Sequence, residues 1–398
     1  MKIVIKILGK VAMAILLVVV ALVIVTGISP IYNFQAPKAF EGPDLFNPYA
    51  ALDTAAGWKR ANFHTHTRVK GPFPPNECEE WPQETWNVYE RLGYDIVTFS
   101  NHNEITTHPF DTALQVNVYE QGYSPYKFHK LVFGSKGVIH WDPLVPLFAS
   151  QKQFELDMLD KSSDFIQINH PYRTWGMSKS HMEKFTGYDI MELDTNIGTE
   201  NEYWDWALSA GHYSFGLAND DLHHAHSARH IALRCNFLCT PSGRYEDLRE
   251  TLLSGCYYAM RVPNYGDGDW DVKIAKNHQL PMVTNIGLDG NRIFIELSRQ
   301  ADSIRVNGQD HAVLAFVRDA SAMEYEMKAD DPYARFTAFF PEGEVIYSNP
   351  FARFDASAAA TPVVKTPHPV NVPLTILWNL LLLGLLAGVI VLFIKIFK

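Results

Sequence analysis

Cysteine is scarce in this chain, with four residues (Cys78, Cys235, Cys239 and Cys256) among 398. So few exclude a disulfide-built scaffold, although an oxidising compartment would permit one bridge. In RCNFLC, Cys235 and Cys239 fall at inward positions of a strand pattern and read as core packing. Runs of lysine or arginine are also missing, and 34 basic against 44 acidic residues leave a net charge of -10. Nothing in the sequence would track a phosphate backbone, so nucleic acid is not an expected partner. A GxSxG elbow and a Walker loop are absent as well, which removes the commonest serine-hydrolase and nucleotide-hydrolase chemistries. Apolar residues are not lacking: 47% hydrophobic and 13% aromatic residues build a core rather than a disordered chain.

Two long hydrophobic runs bracket everything else. Val11 to Ile28 carries no charge over 18 residues, close to the length that crosses a ~30 Å hydrocarbon core as a helix. Leu374 to Ile394 has only Thr375 and Asn379 as strongly polar interruptions, with Trp378 where an interfacial aromatic would sit. Lys2, Lys6 and Lys10 precede the first run, Lys395 and Lys398 follow the second, and the next basic residue after the first run is Lys38. By the positive-inside rule both termini are cytoplasmic and the middle of the chain lies outside the cytoplasmic membrane. A cleaved signal peptide is the alternative for the first run, and it would still export the rest.

From about Trp58 to Val262 a short β-rich run is repeatedly followed by a polar cluster containing histidine or a carboxylate. The runs are KRANFHTH, YDIVTFSNHN, DFIQINHPY, YDIMELDTN and YSFGLANDDLHH, with helical stretches such as ETWNVYERLG and YWDWALSAG between them. Strands alternating with helices predict a parallel sheet, and closing it into a barrel would gather the polar clusters at one mouth. After Val262, NRIFIELS, SIRVNG, HAVLAFVRD, ARFTAFFPEG and EVIYSNP predict a small β-sandwich with little helix. Ala356 to Pro373 is small and proline-rich and reads as a linker.

Of 16 histidines, 13 lie between His64 and His230. His64 and His66 alternate, so on a strand they project from one face about 6 to 7 Å apart and can reach one metal ion or two adjacent ones. His102 ends the second run, Glu120 and His129 occur in VYEQGYSPYKFHKL, His170 ends DFIQIN, and Asp221 with His223 follows YSFGLAND. Imidazoles and carboxylates at one mouth suit a site for two or three divalent ions, with Zn, Mn or Fe the candidates. Asp220, His224, His226 and His230 read equally well as solvated loop residues.

At these residues the chain resembles the PHP (polymerase and histidinol phosphatase) family of metal-dependent phosphoesterases, over about Trp58 to Tyr258. NFHTHT resembles the family's D-x-H-x-H-[ST], and GYDIVTFSNHN its G-[YF]-D-x-[IV]-x-[IV]-T-D-H-N. VYEQGYSPYKFHKLVFG is similar to its glutamate strand and following histidine, INHPY to its histidine-proline pair, LANDDLHH to its final [SN]-D-x-H, and YEDLRETLLSGCYYA to its closing helix and turn. The resemblance implies His64, His66, His102, Glu120, His129, His170, Asp221 and His223 as metal ligands, and Glu192 as support from the barrel wall. Asn62 and Asn101 stand where the family has aspartates, and each is expected to weaken contacts that orient neighbouring histidines. A further acidic ligand is open among Glu77, Glu79 and Glu80.

The implied architecture is α/β: a distorted (β/α)7-type barrel, a small β-sandwich and terminal transmembrane helices. The expected segments are a helix (1–31), a lead-in (32–57), the barrel (58–265), the β-domain (266–355), a linker (356–373) and a second helix (374–398). The implied activity is hydrolysis of a phosphoester by a hydroxide bridging the metal ions, with His170 or His223 as general acid for the leaving group. Arg68, Lys70, Lys127 and Arg173 are candidates to bind phosphate, and the substrate is expected at or near the envelope membrane. Two alternatives remain: an amidohydrolase-like metal hydrolase acting on another bond, and a non-catalytic metal-containing envelope binding protein.

Overall fold

The structure is a computed structural model that describes residues 2–71, 76–194, 201–363 and 365–398. In chain order, α1 (Lys2–Gly27) leads to β1 (Asp44–Phe46), β2 (Lys59–Asn62), α2 (Pro82–Arg91), β3 (Ile96–Val97), β4 (Val118–Gln121) and β5 (Lys130–Phe133). Next come α3 (Ala149–Asp160), β6 (Phe165–Ile168), α4 (Lys179–Met182), β7 (Ile190–Glu192), α5 (Asn201–Ser209), β8 (Phe215–Leu217) and β9 (Arg234–Leu238). Then follow α6 (Tyr245–Ser254), β10 (Tyr257–Arg261), α7 (Trp270–Asn277), β11 (Val283–Asp289), β12 (Arg292–Gly308) and β13 (Val313–Glu326). The chain closes with β14 (Tyr333–Phe339), β15 (Val345–Ser348), β16 (Phe351–Phe354) and α8 (Val372–Phe397).

These elements form a mixed α/β structure with two sheets. One runs β4-β5-β6-β7-β8; the other runs β1-β16-β14-β15-β10-β9-β2-β3, with β11, β12 and β13 joined through β14. The expected all-parallel order is only partly met. β2/β3, β6/β7 and β7/β8 are parallel, whereas β4/β5 and β5/β6 are antiparallel. The eight-residue connection from Gly122 to His129 has no helix and is too short for a crossover, so β5 must turn back beside β4. Single parallel bridges, Thr65 to Leu222 and His102 to Glu120, link the ends of the two sheets.

The region after Val262 departs further from expectation. Its strands do not stand alone as a sandwich: β15 pairs with β10, and β10 with β9, so one sheet runs through both regions. NRIFIELS and SIRVNG are one 17-residue strand, because a bulge between Glu296 and Ala301 absorbs the polar interruption SRQ. Trp270–Asn277 is a helix, capped by the Asp269 carboxylate accepting from the N–H groups of Asp271 and Val272. All four cysteines are free, with Cys235 buried in β9 and Cys239 half-exposed just beyond it.

Two apolar cores lie around the sheets. Phe63, Phe133, Phe165, Trp204 and Leu217 belong to one; Tyr89, Phe237, Tyr258, Ile295 and Phe351 belong to the other. Asp205 on α5 and Arg335 on β14 clamp the two regions: both side chains are buried, and Arg335 donates to the carboxylate from Nε at 2.9 Å and from Nη2 at 2.6 Å. Asp205→Ala leaves that guanidinium buried without its anion, and the expected loss is about 3–5 kcal/mol of stability. Urea unfolding of the solubilised chain followed by tryptophan fluorescence reads it; a loss below about 1 kcal/mol, the size of an exposed pair, would remove the clamp from the account.

The terminal helices lie against one another. Gly27 approaches Leu382, Ser29 N–H donates to Asn379 Oδ1 and Ile31 N–H to Thr375 Oγ1, so α8 runs antiparallel to α1. Val4–Gly27 and Val372–Phe397, with mean hydropathies of 2.9 and 2.8, are long and apolar enough to cross a bilayer. The expected linker does not hang free: Lys365 Nζ reaches Asp160 at 2.6 Å and Asp189 at 2.8 Å, and His368 is buried against the Phe34 ring.

Candidate metal centre

The ends of four strands deliver the centre. β2 runs into His64 and His66, β3 into His102, β6 into His170 and β8 into Asp221 and His223. Glu120 sits on β4, and because β5 turns back, His129 lies at the start of β5 rather than after its end. Gly122 makes that turn possible: at φ +125° it has left-handed backbone, and a Cβ there would lie 2.8 Å from His129 Cδ2.

Six of the eight expected ligands fall into tight groups whose candidate ligand atoms lie within 4.8 Å of one another. The groups are His64, His66, Glu120 and Asp221; His66, Glu77 and His102; and His102, Glu120 and His129. Glu120 joins two of them, with Oε2 at 3.3 Å from His64 Nε2, 3.0 Å from His66 Nε2 and 3.2 Å from His102 Nε2. The remaining two adjoin the groups: His170 Nε2 is 3.2 Å from Glu120 Oε1, and His223 stacks on His66 with its Nε2 3.5 Å from Glu77. Of the three acidic candidates only Glu77 enters; Glu80 instead accepts the His226 N–H, and Glu79 is exposed.

The charge balance of this cluster calls for cations. Burial disfavours ionisation of Glu120 and Asp221, yet the surrounding histidines hold both well below the usual carboxylate range. Burial likewise opposes charge on His64 and His66, but their carboxylate neighbours outweigh it, raising His64 strongly and His66 to about 9. His129, in contrast, is pushed down by burial to about 3 and stays neutral. Near neutral pH a proton therefore occupies the His64–His66 pair wherever a metal ion does not. A bound ion must displace it, so metal affinity is expected to rise as pH goes from 7 to 9, about tenfold per unit for each proton released. Calorimetry in buffers of different ionisation enthalpy counts those protons; no release would show that the pair is already neutral.

Glu192 fixes the ring of His64. Its Oε1 lies 2.8 Å from His64 Nδ1 and its Oε2 accepts the His170 N–H at 2.9 Å, while Gln167 and Asn219 donate to it at 3.3 Å. With Nδ1 bonded there, Nε2 of His64 is the atom left to face the centre. Glu192→Gln is expected to weaken metal binding about 10–100-fold with little change in fold, read by competition with a chromogenic chelator. Gln167, Asn169 and Asn219 are supports that sequence reasoning missed, although polar residues at alternate positions of the apolar run DFIQIN were a usable signal.

Asn62 and Asn101 do not bear on the histidine rings as expected. Asn62 Oδ1 accepts the backbone N–H of His64, and Asn101 accepts from Thr67 N–H and donates to the Thr67 and Thr106 hydroxyls. Both shape the HTHT loop, a task an amide performs without charge. Asp220 is no solvated loop residue either: it is buried and accepts from Tyr89 and from the N–H groups of Ala232, Leu233 and Arg234. His224, His226 and His230 are exposed.

A cavity of about 200 Å3 opens over the cluster. Lys127 and Arg173 line it, Arg173 donating to Asp221 Oδ2 at 3.0 Å; Arg68 and Lys70 do not line it. Lys127, His170 and Asp221 all have positive φ, at 54°, 24° and 47°, a strained geometry for residues other than glycine that concentrates at working sites.

No family model matches the chain, and no curated protein matches it. Among solved structures it is similar to the crystal structure of a two-domain protein containing a predicted PHP-like metal-dependent phosphoesterase from Bacteroides vulgatus. The match is 13% identical, with a TM-score of 0.38, over 80% of this chain and 100% of that one. Neither figure is high enough to transfer a function. What this centre can do follows from its own donors: a buried group of imidazoles and carboxylates that could hold more than one divalent ion, beneath a cavity with two cationic side chains.

Proposed function

We propose that the chain is a membrane-anchored, metal-dependent phosphoesterase. The observation that carries this reading is the sharing of Glu120 and His66 among adjacent ligand groups, which suits two or three closely spaced divalent ions, Zn, Mn or Fe. Strands β2 to β8, with the two bridges between their sheets, are read as a distorted barrel around that centre. His64, His66, His102, Glu120, His129, His170 and Asp221 would hold the ions, with Glu77 added from the α2 side. Ions bound there would supply an activated water and offset charge on the phosphoryl oxygens.

The chain's own residues would do the rest. Lys127 and Arg173 orient the phosphoryl group from the cavity wall. Both candidate acids line the cavity, but His170 is buried with Nε2 turned to Glu120, whereas His223 is half-buried. Protonation of the leaving oxygen is therefore assigned to His223 as its imidazolium: Nδ1–H donates to the Asp221 carbonyl at 2.9 Å, and Nε2, 3.5 Å from Glu77, would carry the proton that is given up. The two apolar helices are read as spans with both termini in the cytoplasm and the folded body outside the cytoplasmic membrane.

A panel of phosphomonoesters, phosphodiesters and amides tests the assignment on the purified full chain. Phosphoester cleavage that chelation abolishes and divalent ions restore is the expected result. Amide cleavage without phosphoester cleavage would move the chain to the amidohydrolase-like alternative.

A further inference from the structure

The cavity is tied to the apolar helices by an unbroken set of contacts. Its rim residues Tyr123 and Ser124 both donate their backbone N–H groups to Asp142 Oδ2 at 2.6 Å, and Gln121 on β4 donates to the Trp141 carbonyl at 2.8 Å. Two residues further on, Leu144 N–H donates to Thr26 Oγ1 in the last turn of α1 at 3.3 Å. Consecutive Cα atoms are about 3.8 Å apart, so Asp142 and Leu144 are separated by at most ~7.6 Å. Gln151 Nε2 then donates to the Gly27 carbonyl, and the Phe148 ring packs edge-on against Trp378 of α8 with centroids 5.1 Å apart.

The attachment has little play. Tyr32 and Val370 form an antiparallel bridge, Asn33 N–H donates to the Pro369 carbonyl and Asn371 N–H to the Ile31 carbonyl. Both chain passages into the helices are thus pinned side by side. The surface around this junction is apolar where a water-facing one would not need to be. Leu147 and Phe148 are exposed beside the helix ends, and Tyr123, Tyr172 (57% exposed) and Trp175 (69% exposed) stand around the rim. Tyr172 and Trp175 flank Arg173, and Trp175 N–H donates to the Tyr126 carbonyl, which joins their segment to the rim. Exposed aromatics on a body bonded to the ends of two apolar helices are what a bilayer interface accommodates.

We propose that the rim is held at the bilayer surface and that the substrate is a phosphoester carried on a membrane-embedded amphiphile. The proposal rests on the phosphoesterase and membrane-anchor readings above. Lys127 and Arg173 would take the phosphoryl group while Tyr172, Trp175 and the Leu147–Phe148 pair contact the lipid region that presents it.

The test uses the metal-loaded full chain in phosphatidylcholine vesicles and substrates that differ only in anchorage: butyl against hexadecyl phosphate, and methyl against hexadecyl 4-nitrophenyl phosphate. The anchored member of the pair that is cleaved should be preferred at least about tenfold, and Tyr172→Ala with Trp175→Ala should bring the ratio towards one. Equal rates for the two members, or a ratio untouched by the double variant, would overturn the substrate class. If no phosphoester is cleaved, the phosphoesterase reading fails and placement is read separately. A fluorophore on Tyr172→Cys, in a Cys239→Ser background, should be quenched by lipids carrying a nitroxide near the headgroup, and absence of quenching would overturn the placement.

Discussion

Replacing His64 and His66 together with alanine is expected to abolish metal-dependent turnover, by at least about a thousandfold, while the chain still folds. His66 belongs to two of the three ligand groups and His64 Nε2 lies within 3.3 Å of His66, Glu120 and Asp221, so their loss empties the middle of the centre. Folding should survive because β2 ends at Asn62 and its pairing with β3 and β9 uses residues before the histidines. Circular dichroism and turnover on the same preparation separate the two effects. Retained metal-dependent activity would exclude this cluster as the active centre.

The second large effect is expected from Glu120→Gln, which keeps shape and removes one negative charge. The wild-type carboxylate meets five imidazoles, those of His64, His66, His102, His129 and His170, each at 3.3 Å or closer. An amide can offer only one acceptor oxygen and turns its NH2 toward nitrogens that need to bind cations. Two of the three ligand groups lose their shared member, so at least one bound ion should be lost and activity should fall by about a hundredfold or more. Metal analysis beside steady-state kinetics checks both. A variant that keeps its full metal complement would reduce Glu120 to a spectator.

Much of the centre was legible because its chemistry is written locally. An imidazole or carboxylate directly after a β-rich run is visible in HTH, SNHN, INHP and NDDLH, and folding brings the six candidates they carry, together with Glu120 and His129, to one cluster. What could not be read was choice and orientation. NECEEW offers three glutamates, and only the chain's path from β2 into α2 selects Glu77. Asn62 and Asn101 were assigned to histidine rings because sequence gives proximity but not direction; their amides turn instead to the HTHT backbone and hydroxyls. Asp220 lies next to Asp221 yet faces the opposite way, into the knot of Tyr89 and the 232–234 backbone.

The fold was less legible where pairing is non-local. The reversal at Gly122 lies within a segment whose apolar runs look the same in either direction, so the expectation of a parallel sheet gave no sign that β5 runs antiparallel to β4 and β6. The continuous sheet from β2 to β15 depends on pairings between residues far apart, such as Ala259 with Tyr347, that no local period encodes. Likewise the proline-rich segment before α8 has the composition of a linker, and only the approach of Asp160 and Asp189 to Lys365 converts it into a strap.

The most direct test of the central claim is the metal content of the purified full-length chain by elemental mass spectrometry, after loading with Zn, Mn or Fe and removal of excess. The proposed function predicts two or three ions per chain, falling to one or none in the His64→Ala, His66→Ala variant. A wild-type chain that retains no ion after loading with any of the three would contradict a metal centre at this site.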